Sequence, residues 1–203
     1  MSSARQPGAP SPGDITGLVL AGGRGSRMGG VDKGLVPWRG RALVDHVIDR
    51  LRPQVGSVMV SANRNQDAYR ERGVQVLGDA SAGFEGPLAG ILSGLRAAAT
   101  PWVAVVPCDA PRLPVDLVAR LAAALQGTQA AVVQRPQGDG GLRIEPVCCL
   151  LNRALADDLE EALARGERRV EPWLARHGRT AIFDRADDAG AFANLNTPDD
   201  LQA

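Results

Sequence analysis

The chain has 203 residues, 44% of them hydrophobic, and its 23 basic residues balance 23 acidic ones. This length and composition are typical of one globular domain with a sizeable core. The balanced charge gives no indication of nucleic acid or an anionic membrane surface as a partner, and no apolar run approaches the length that spans a bilayer.

The N-terminal residues 1–13 are rich in Pro, Ser, Gly and Ala and contain no apolar block, so they predict a disordered leader rather than a signal peptide. Residues 14–203 are then expected to form a single domain. The three cysteines, Cys108, Cys148 and Cys149, form no C-x-x-C pair. An odd number of cysteines without an export signal indicates reduced, buried thiols and a cytoplasmic protein.

Short β-prone runs alternate along the chain with segments of helical periodicity. The predicted strands are 15–20, 57–61, 74–77, 102–106, 130–134, 146–151 and a short one at 181–183. The predicted helices are 41–51, 87–98, 114–125, 153–164 and 170–177. This alternation predicts a Rossmann-like three-layer α/β/α fold with a mostly parallel sheet. A polar turn with one proline and three glycines at 134–143 predicts a small antiparallel excursion.

The first predicted strand runs directly into a glycine-rich, cationic loop that ends at Lys33. Five glycines lie in this loop, where backbone N–H groups can converge on an anion, and Arg24, Arg27 and Lys33 add positive charge. A dinucleotide-binding fingerprint would need glycine at Met28, and a P-loop would need Lys-Ser or Lys-Thr after Gly30. Neither pattern is present, so the loop predicts a different kind of polyphosphate site.

Polar groups also follow the other predicted strands, at the edge where open α/β sheets bind ligands. Asp109 follows the fourth strand and stands between Pro107 and Pro111, which would hold its carboxylate rigidly. One such hard oxygen ligand suits Mg²⁺, which usually takes one or two protein carboxylates together with phosphate oxygens. Asp79 follows the third strand and precedes Gly83, a position that is more typical of a plain turn residue than that of Asp109.

Six motifs together resemble the molybdenum cofactor guanylyltransferase family from about residue 16 to 201. They are L-A-G-G-x-x-x-R-M-G-G-V-D-K, S-A-N-R, G-P-L-A-G, P-C-D-x-P, G-E-R-R-V and N-L-N-T-P-D-D-L. The resemblance implies a nucleotidyltransferase domain that uses Mg²⁺, with Asp109 as the metal ligand and Arg27, Lys33 and Asp109 as catalytic residues.

The resemblance also divides the site residues into two groups. It implies a nucleotide site at Leu20, Ala21, Gly22, Gly23, Lys33, Ser61, Asp79 and Asp109, where Ser61 replaces an asparagine that the family often has. It implies a pterin side at Arg27, Asp32, Asn194 and Asn196. Arg168 and Arg169 fit either a pterin contact or a solvated helix face.

The activity implied is transfer of GMP from GTP to the terminal phosphate of molybdenum-molybdopterin, with release of pyrophosphate. Related cytidylyltransferases usually have alanine where this chain has Gly22, and the missing methyl group favours a purine. Two alternatives stay open: a cytidylyl- or uridylyltransferase with another phosphorylated acceptor, and a GTP-binding module without turnover. The further expectations are a monomer with transient contacts to molybdoenzyme apoproteins or other cofactor-biosynthesis proteins, and no nucleic acid or membrane partner.

Overall fold

The computed structural model describes residues 8–21, 32–78, 86–137, 140–197 and 200–201. The main sheet has seven strands in the order β5-β4-β1-β6-β8-β7-β9. These are β1 (Ile15–Leu20), β4 (Ser57–Ser61), β5 (Gln75–Leu77), β6 (Trp102–Pro107), β7 (Ala130–Pro136), β8 (Leu142–Asn152) and β9 (Gly178–Ile182). Within this sheet β8 runs antiparallel to both of its neighbours, and the other pairings are parallel. The predicted mostly parallel sheet is confirmed.

Helices cover both faces of the sheet, so the predicted three-layer α/β/α fold is also confirmed. They are α1 (Leu43–Leu51), α2 (Gln66–Arg70), α3 (Pro87–Ala97), α4 (Leu117–Ala124), α5 (Ala156–Ala164) and α6 (Val170–Leu174). One core lies between the sheet and α1, α2 and α4. A second core lies between the other face of the sheet and α3, α5 and α6. None of the described helices is long and apolar enough to cross a membrane.

The antiparallel excursion is the hairpin of β7 and β8. The strands pair from Ala130 with Leu151 to Pro136 with Leu142, and a bulge falls between Val132 and Val133. The Gln137 N–H donates to the carbonyl of Gly141 at 2.7 Å and closes the turn. The proline and glycines of the sequence therefore mark a real hairpin, as predicted.

Three helix starts differ from the prediction. In the predicted helix 153–164 the first three residues, Arg153–Leu155, form a turn of 3-10 helix, and α5 begins after them. The predicted helix 41–51 begins at Leu43, because β3 (Arg41–Ala42) pairs with β2 (Pro37–Trp38) in a small separate hairpin. The predicted helix 114–125 begins at Leu117. The buried side chain of Gln54 donates to the Pro114 carbonyl at 3.0 Å and accepts from the Val118 N–H at 2.9 Å. This long-range contact sets where α4 starts, and the helical periodicity of the sequence cannot predict it.

Part of the predicted leader has regular structure. Pro12–Asp14 form one turn of 3-10 helix, and the Asp14 carboxylate accepts from the Ser11 N–H at 3.0 Å. Residues 1–7 lie outside the described residues. Disorder of the leader as a whole stays a prediction.

A bidentate ion pair holds the C-terminal segment against α4. The guanidinium of Arg120 donates to both carboxylate oxygens of Asp188, at 2.8 and 3.0 Å, and lies 3.7 Å from the centre of the Phe183 ring. Phe183 in turn packs edge-on against Phe192. Because both charges are largely buried, this anchor directs the residues that follow Phe192 toward the carboxyl edge of the sheet.

We expect Gly94→Ala to destabilise the fold. A methyl group at Gly94 in α3 would overlap the Cδ2 atom of Leu18, which is fully buried in β1. Overpacking of this kind costs about 1–3 kcal/mol, more than the ~0.5–1 kcal/mol that alanine gains over glycine in a helix. Urea unfolding should show the loss. In a Leu18→Ala background the same substitution should be neutral or stabilising, and an equal loss there would show that the cause lies elsewhere.

Candidate active site

The carboxyl ends of β4, β1 and β6 lie side by side at one edge of the sheet. The Ala21 N–H donates to the carbonyl of Ser61 at 2.8 Å, and the Cys108 N–H donates to the carbonyl of Leu20 at 3.1 Å. Strand β1 has β4 on one side and β6 on the other, so the strand order reverses here. In open α/β sheets this reversal is the place where ligands bind.

Three predicted nucleotide-binding residues therefore meet at this edge: Leu20, Ala21 and Ser61. Leu20 and Ala21 are half-buried, whereas the side chain of Ser61 is buried. A methyl group on Gly90 of α3 would lie 2.8 Å from Ser61 Oγ. The hydroxyl group thus faces the start of α3, and the absence of a side chain at Gly90 makes room for it.

Lys33, Asp109 and Asn196 form the polar centre of the site. The Lys33 ammonium group lies 2.9 Å from Asp109 Oδ2 and also donates to the side-chain oxygen of Asn196. The Lys33 side chain is 29% exposed and the Asp109 side chain 11% exposed. The pair is therefore partly shielded from water but still open to a ligand, and it joins three predicted site residues that are far apart in the sequence.

The C-terminal segment is fastened to the same edge by its backbone. The Leu195 N–H donates to the Asp109 carbonyl at 2.9 Å. Leu195 packs with Val36, Trp38 and Leu43 in a small apolar cluster of its own. These contacts place Asn196 beside Lys33. The hydrogen bond between the two side chains therefore forms only when the C-terminal segment is packed against the sheet edge.

Asn194 and Asn196 are joined by a hydrogen bond from the side chain of Asn196 to the backbone of Asn194. Asn194 is exposed, and its carbonyl accepts from Asn196 Nδ2 at 3.2 Å. The Asp200 carboxylate accepts from the N–H groups of Asn196 and Thr197, at 2.9 and 2.8 Å, and the Asp200 N–H donates to Thr197 Oγ1 at 3.2 Å. The last contact is the one that an N-cap residue makes.

Asp32 is buried beneath the site rather than exposed on it. Its Oδ1 accepts from the Tyr69 hydroxyl at 2.5 Å, and its Oδ2 accepts from Asn65 Nδ2 at 3.1 Å. Asn65 directly precedes α2 and Tyr69 lies within it, and the sequence reasoning singled out neither residue. The lone tyrosine of an aromatic-poor chain was the available signal, but nothing in its spacing gives its partner.

Four predicted site residues, Gly22, Gly23, Arg27 and Asp79, lie outside the described residues. Their roles stay predictions. Arg168, one of the two undecided arginines, donates to the Leu163 carbonyl at the end of α5 at 2.9 Å. The N–H groups of Arg168 and Arg169 both donate to Glu167 Oε1 at 2.9 Å. These contacts show a helix-terminating turn at this position.

The cysteines are core residues, as predicted. Cys108, Cys148 and Cys149 are all buried, and burial raises the pKa of each thiol. Within the described residues no group of three or more His, Cys, Asp or Glu side chains could hold a metal ion. A metal that binds among them would have to rely on one or two carboxylates, and Asp109 is the carboxylate at the centre of the site.

A family model described as a MobA-like NTP transferase domain matches residues 17–181. The solved structures of similar fold include a molybdopterin-guanine dinucleotide biosynthesis protein A from Archaeoglobus fulgidus, with a TM-score of 0.71 and 23% identity over 92% of this chain and 95% of that one. They also include a 2-C-methyl-D-erythritol 4-phosphate cytidylyltransferase from Thermus thermophilus, with a TM-score of 0.64 and 19% identity over 91% of this chain and 94% of that one. The fold, the polar centre at the sheet edge and the family model define a nucleotidyltransferase.

Curated relatives give the finer assignment. A molybdenum cofactor guanylyltransferase of Cupriavidus taiwanensis is 50% identical over 94% of this chain and 96% of its own length. One from Methylibium petroleiphilum is 51% identical over 93% of this chain and 94% of its own length. The chain belongs to the molybdenum cofactor guanylyltransferase family.

The carboxylate of Asp200 should make the Asn196 segment sensitive to acid. The hydrogen bond from the Asn196 N–H, followed by those from Thr197, lowers the pKa of Asp200 below its usual 3.8. Because the pKa is depressed in the folded state, the stabilisation is complete above the unfolded value and is lost as the pH falls through the folded one. Hydrogen-exchange protection of the Asn196 and Thr197 amides should therefore fall below about pH 3.8. Asp200→Asn should show the low protection already at pH 7, and full protection in that variant would contradict the assignment.

Proposed function

We propose that the protein transfers GMP from GTP to the terminal phosphate of molybdenum-molybdopterin. A phosphate oxygen of the acceptor attacks the α-phosphorus of GTP, and the bond from that phosphorus to the oxygen bridging to the β-phosphate breaks. The products are molybdopterin guanine dinucleotide cofactor and pyrophosphate. The observation that carries this proposal is the cluster of Lys33, Asp109 and Asn196 at the edge where the strand order reverses. Relatives about 50% identical to this chain are molybdenum cofactor guanylyltransferases.

The reaction needs no general base, because the attacking phosphate is already an anion. The two histidines of the chain are accordingly not needed as bases, and both have structural contacts. His46 Nε2 lies 3.0 Å from the Trp38 carbonyl, and His177 Nε2 lies 2.8 Å from Asp158 Oδ1. Both rings have structural partners, so catalysis rests on alignment and charge neutralisation.

Lys33 supplies the positive charge. Its ammonium group is held by Asp109 and Asn196 but remains partly exposed, so it can contact a phosphate group that enters the site. We propose Arg27, one of the two arginines of the glycine-rich loop, as the second positive charge that contacts the phosphates. Together they stabilise the negative charge that develops on the departing pyrophosphate.

Asp109 is the residue that would hold Mg²⁺. The donor set fits the ion, because Mg²⁺ usually combines one or two protein carboxylates with substrate phosphates and water rather than an all-protein cage. The contact of Lys33 uses Oδ2 of the carboxylate, and Oδ1 is the atom proposed to ligate the metal. When bound, the ion would polarise the α-phosphate and neutralise phosphate charge.

The site divides between the two substrates. Leu20, Ala21 and Ser61 support the nucleotide side together with Gly22, Gly23 and Asp79 from the sequence resemblance. Asn194 and Asn196 support the pterin side together with Arg27. We further propose that the enzyme is a cytoplasmic monomer with a single catalytic domain from residue 14 to 203.

GTP should be the preferred nucleotide. The motivation is Gly22, which stands where cytidylyltransferases usually have alanine, so the site should accept a purine. Pyrophosphate release should be measured with each of four nucleoside triphosphates, with and without molybdopterin. Turnover is expected with GTP and only with the acceptor present.

Gly22→Ala gives the matched comparison for base selection. One methyl group changes discrimination by ~1–3 kcal/mol, so the variant should shift the preference toward CTP without reversing it completely. Comparable rates with CTP in the parent protein would contradict guanylyl specificity. Binding of GTP without any turnover would instead favour the nucleotide-binding module.

Asp109→Asn and Lys33→Ala should lower turnover in different ways. Asp109→Asn keeps the size of the side chain but removes the charge that attracts Mg²⁺, so the rate should fall ~10²-fold and the half-saturating Mg²⁺ concentration should rise. Lys33→Ala removes a cation 2.9 Å from the same carboxylate, so the rate should fall while the half-saturating concentration stays equal or decreases. Steady-state rates over a Mg²⁺ titration distinguish the two.

Asp157→Asn is the control for the aspartate substitution. Asp157 is a largely exposed carboxylate on α5 that pairs with Arg96, away from the sheet edge. This variant should keep the normal rate and the normal response to Mg²⁺. Near-normal turnover of Asp109→Asn at low Mg²⁺ would remove Asp109 from the metal site and make Asp79 the next candidate.

A further inference from the structure

Tyr69 contacts the residues on both sides of Lys33 in the sequence. Its hydroxyl donates to Asp32 Oδ1 at 2.5 Å. On the other side, a methyl group added at Gly34 would overlap Tyr69 Oη, so the backbone of Gly34 lies directly against the phenol group. One buried side chain thus donates to the carboxylate of the residue before Lys33 and packs against the residue after it.

Asn65 completes this arrangement. Its Nδ2 donates to Asp32 Oδ2 at 3.1 Å, so each carboxylate oxygen of Asp32 has its own donor. Asn65 itself has a left-handed backbone, with φ of 50°, at the start of α2, a conformation that asparagine tolerates better than most residues. In this left-handed conformation the Asn65 side chain places its amide group within hydrogen-bond distance of the Asp32 carboxylate.

The hydrogen bond from Tyr69 is durable because the tyrosine cannot easily ionise. Tyr69 is completely buried in the core beneath β1 and α1. Burial, with the adjacent Asp32 carboxylate, raises the pKa of the phenol far above its usual range. The raised pKa keeps the hydroxyl group in its protonated form, which can donate to Asp32.

Lys33 is the single lysine among the 203 residues, and its ammonium group reaches both Asp109 and Asn196. A lysine side chain is a flexible four-carbon stem, so the direction of its ammonium group depends on how firmly its backbone is held. The two contacts of Tyr69 and the contact of Asn65 hold that backbone.

We propose that Tyr69 and Asn65 are positioning residues that act through Asp32 to hold Lys33 between Asp109 and Asn196. The proposal rests on the function proposed above and gives Asp32 a role behind Lys33, in place of the pterin contact that the sequence resemblance implies. Tyr69 is fully buried, so it acts on Lys33 through Asp32 rather than by contact with a substrate. Tyr69 and Asn65 determine where the only ammonium side chain of the protein meets the phosphates.

Tyr69→Phe tests this kinetically, because it removes the hydroxyl group and keeps the ring. We expect kcat to fall ~10-fold or more, since small displacements of an aligned group are costly, while the KM for GTP changes little. In a Lys33→Ala background the same substitution should have no further effect on kcat. An equal fall in both backgrounds would overturn the proposal, because Tyr69 would then act independently of Lys33.

Trp173→Phe is the matched control. It removes a buried indole N–H that donates to Asp158 at 2.8 Å on the opposite face of the sheet. It should lower the melting temperature without a selective loss of kcat. If Tyr69→Phe fails to fold, Asn65→Gly replaces it, because glycine accepts the left-handed backbone and removes only the donor to Asp32. A normal kcat in every variant that folds would overturn the proposal.

A second readout does not depend on the reaction. An amine-selective acylating reagent can modify Lys33, and mass spectrometry separates that peptide from the N-terminal amine. Tyr69→Phe and Asn65→Gly should raise the rate of Lys33 modification several-fold over the parent protein and over Trp173→Phe. Unchanged Lys33 reactivity would overturn the positioning role. If the parent protein releases no pyrophosphate from GTP, the proposed function fails, and Lys33 reactivity alone decides the positioning role.

Discussion

The parallel pairing of β1 on both of its edges is the constraint on which the site depends. Leu20, the last residue of β1, lies beside Ser61 of β4 and beside Pro107 of β6. Parallel strands end at the same edge of a sheet, so three segments that are distant in the sequence deliver their next residues to one place. Because Leu18 and Val19 are fully buried in the two cores on opposite faces, a shift of register by one residue would exchange their side chains between the cores and disrupt the packing of both.

On this edge the ammonium group of Lys33 joins three distant parts of the chain, through an ion pair with Asp109 and a hydrogen bond to Asn196. Lys33 follows the first strand, Asp109 follows β6, and Asn196 is brought in by the segment anchored through Arg120 and Asp188. Partial burial strengthens the attraction between the two charges, while the remaining exposure of Lys33 leaves it open to a phosphate. In the proposed reaction Asp109 would hold the metal, and Lys33 would stabilise the leaving pyrophosphate.

The sequence predicted the strands at the centre of the sheet more accurately than the helix starts and the later strands. The predicted strand 146–151 extends over Leu142–Asn152 (β8), and the predicted strand 181–183 lies at Gly178–Ile182 (β9). The predicted strands 15–20 and 57–61 are β1 and β4 as observed, because runs of buried β-prone residues are a strong local signal. Helix starts depended on partners elsewhere in the chain. Gln54 decides the start of α4, and the β2–β3 hairpin replaces the first turn expected for α1. Helical periodicity carries no information about such contacts.

Taken alone, the sequence determined the fold class, and it predicted the sheet edge that bears the site and, through the family motifs, Lys33, Asp109 and Asn196 as residues there. Glycines, prolines and strand ends are local signals, and a motif keeps its residue types in order along the chain. Only the tertiary structure decided that Lys33 pairs with Asp109, that Ser61 faces Gly90, and that Asp32 lies on Tyr69. These are contacts between separate elements, and their geometry is set by how the helices pack on the two faces of the sheet.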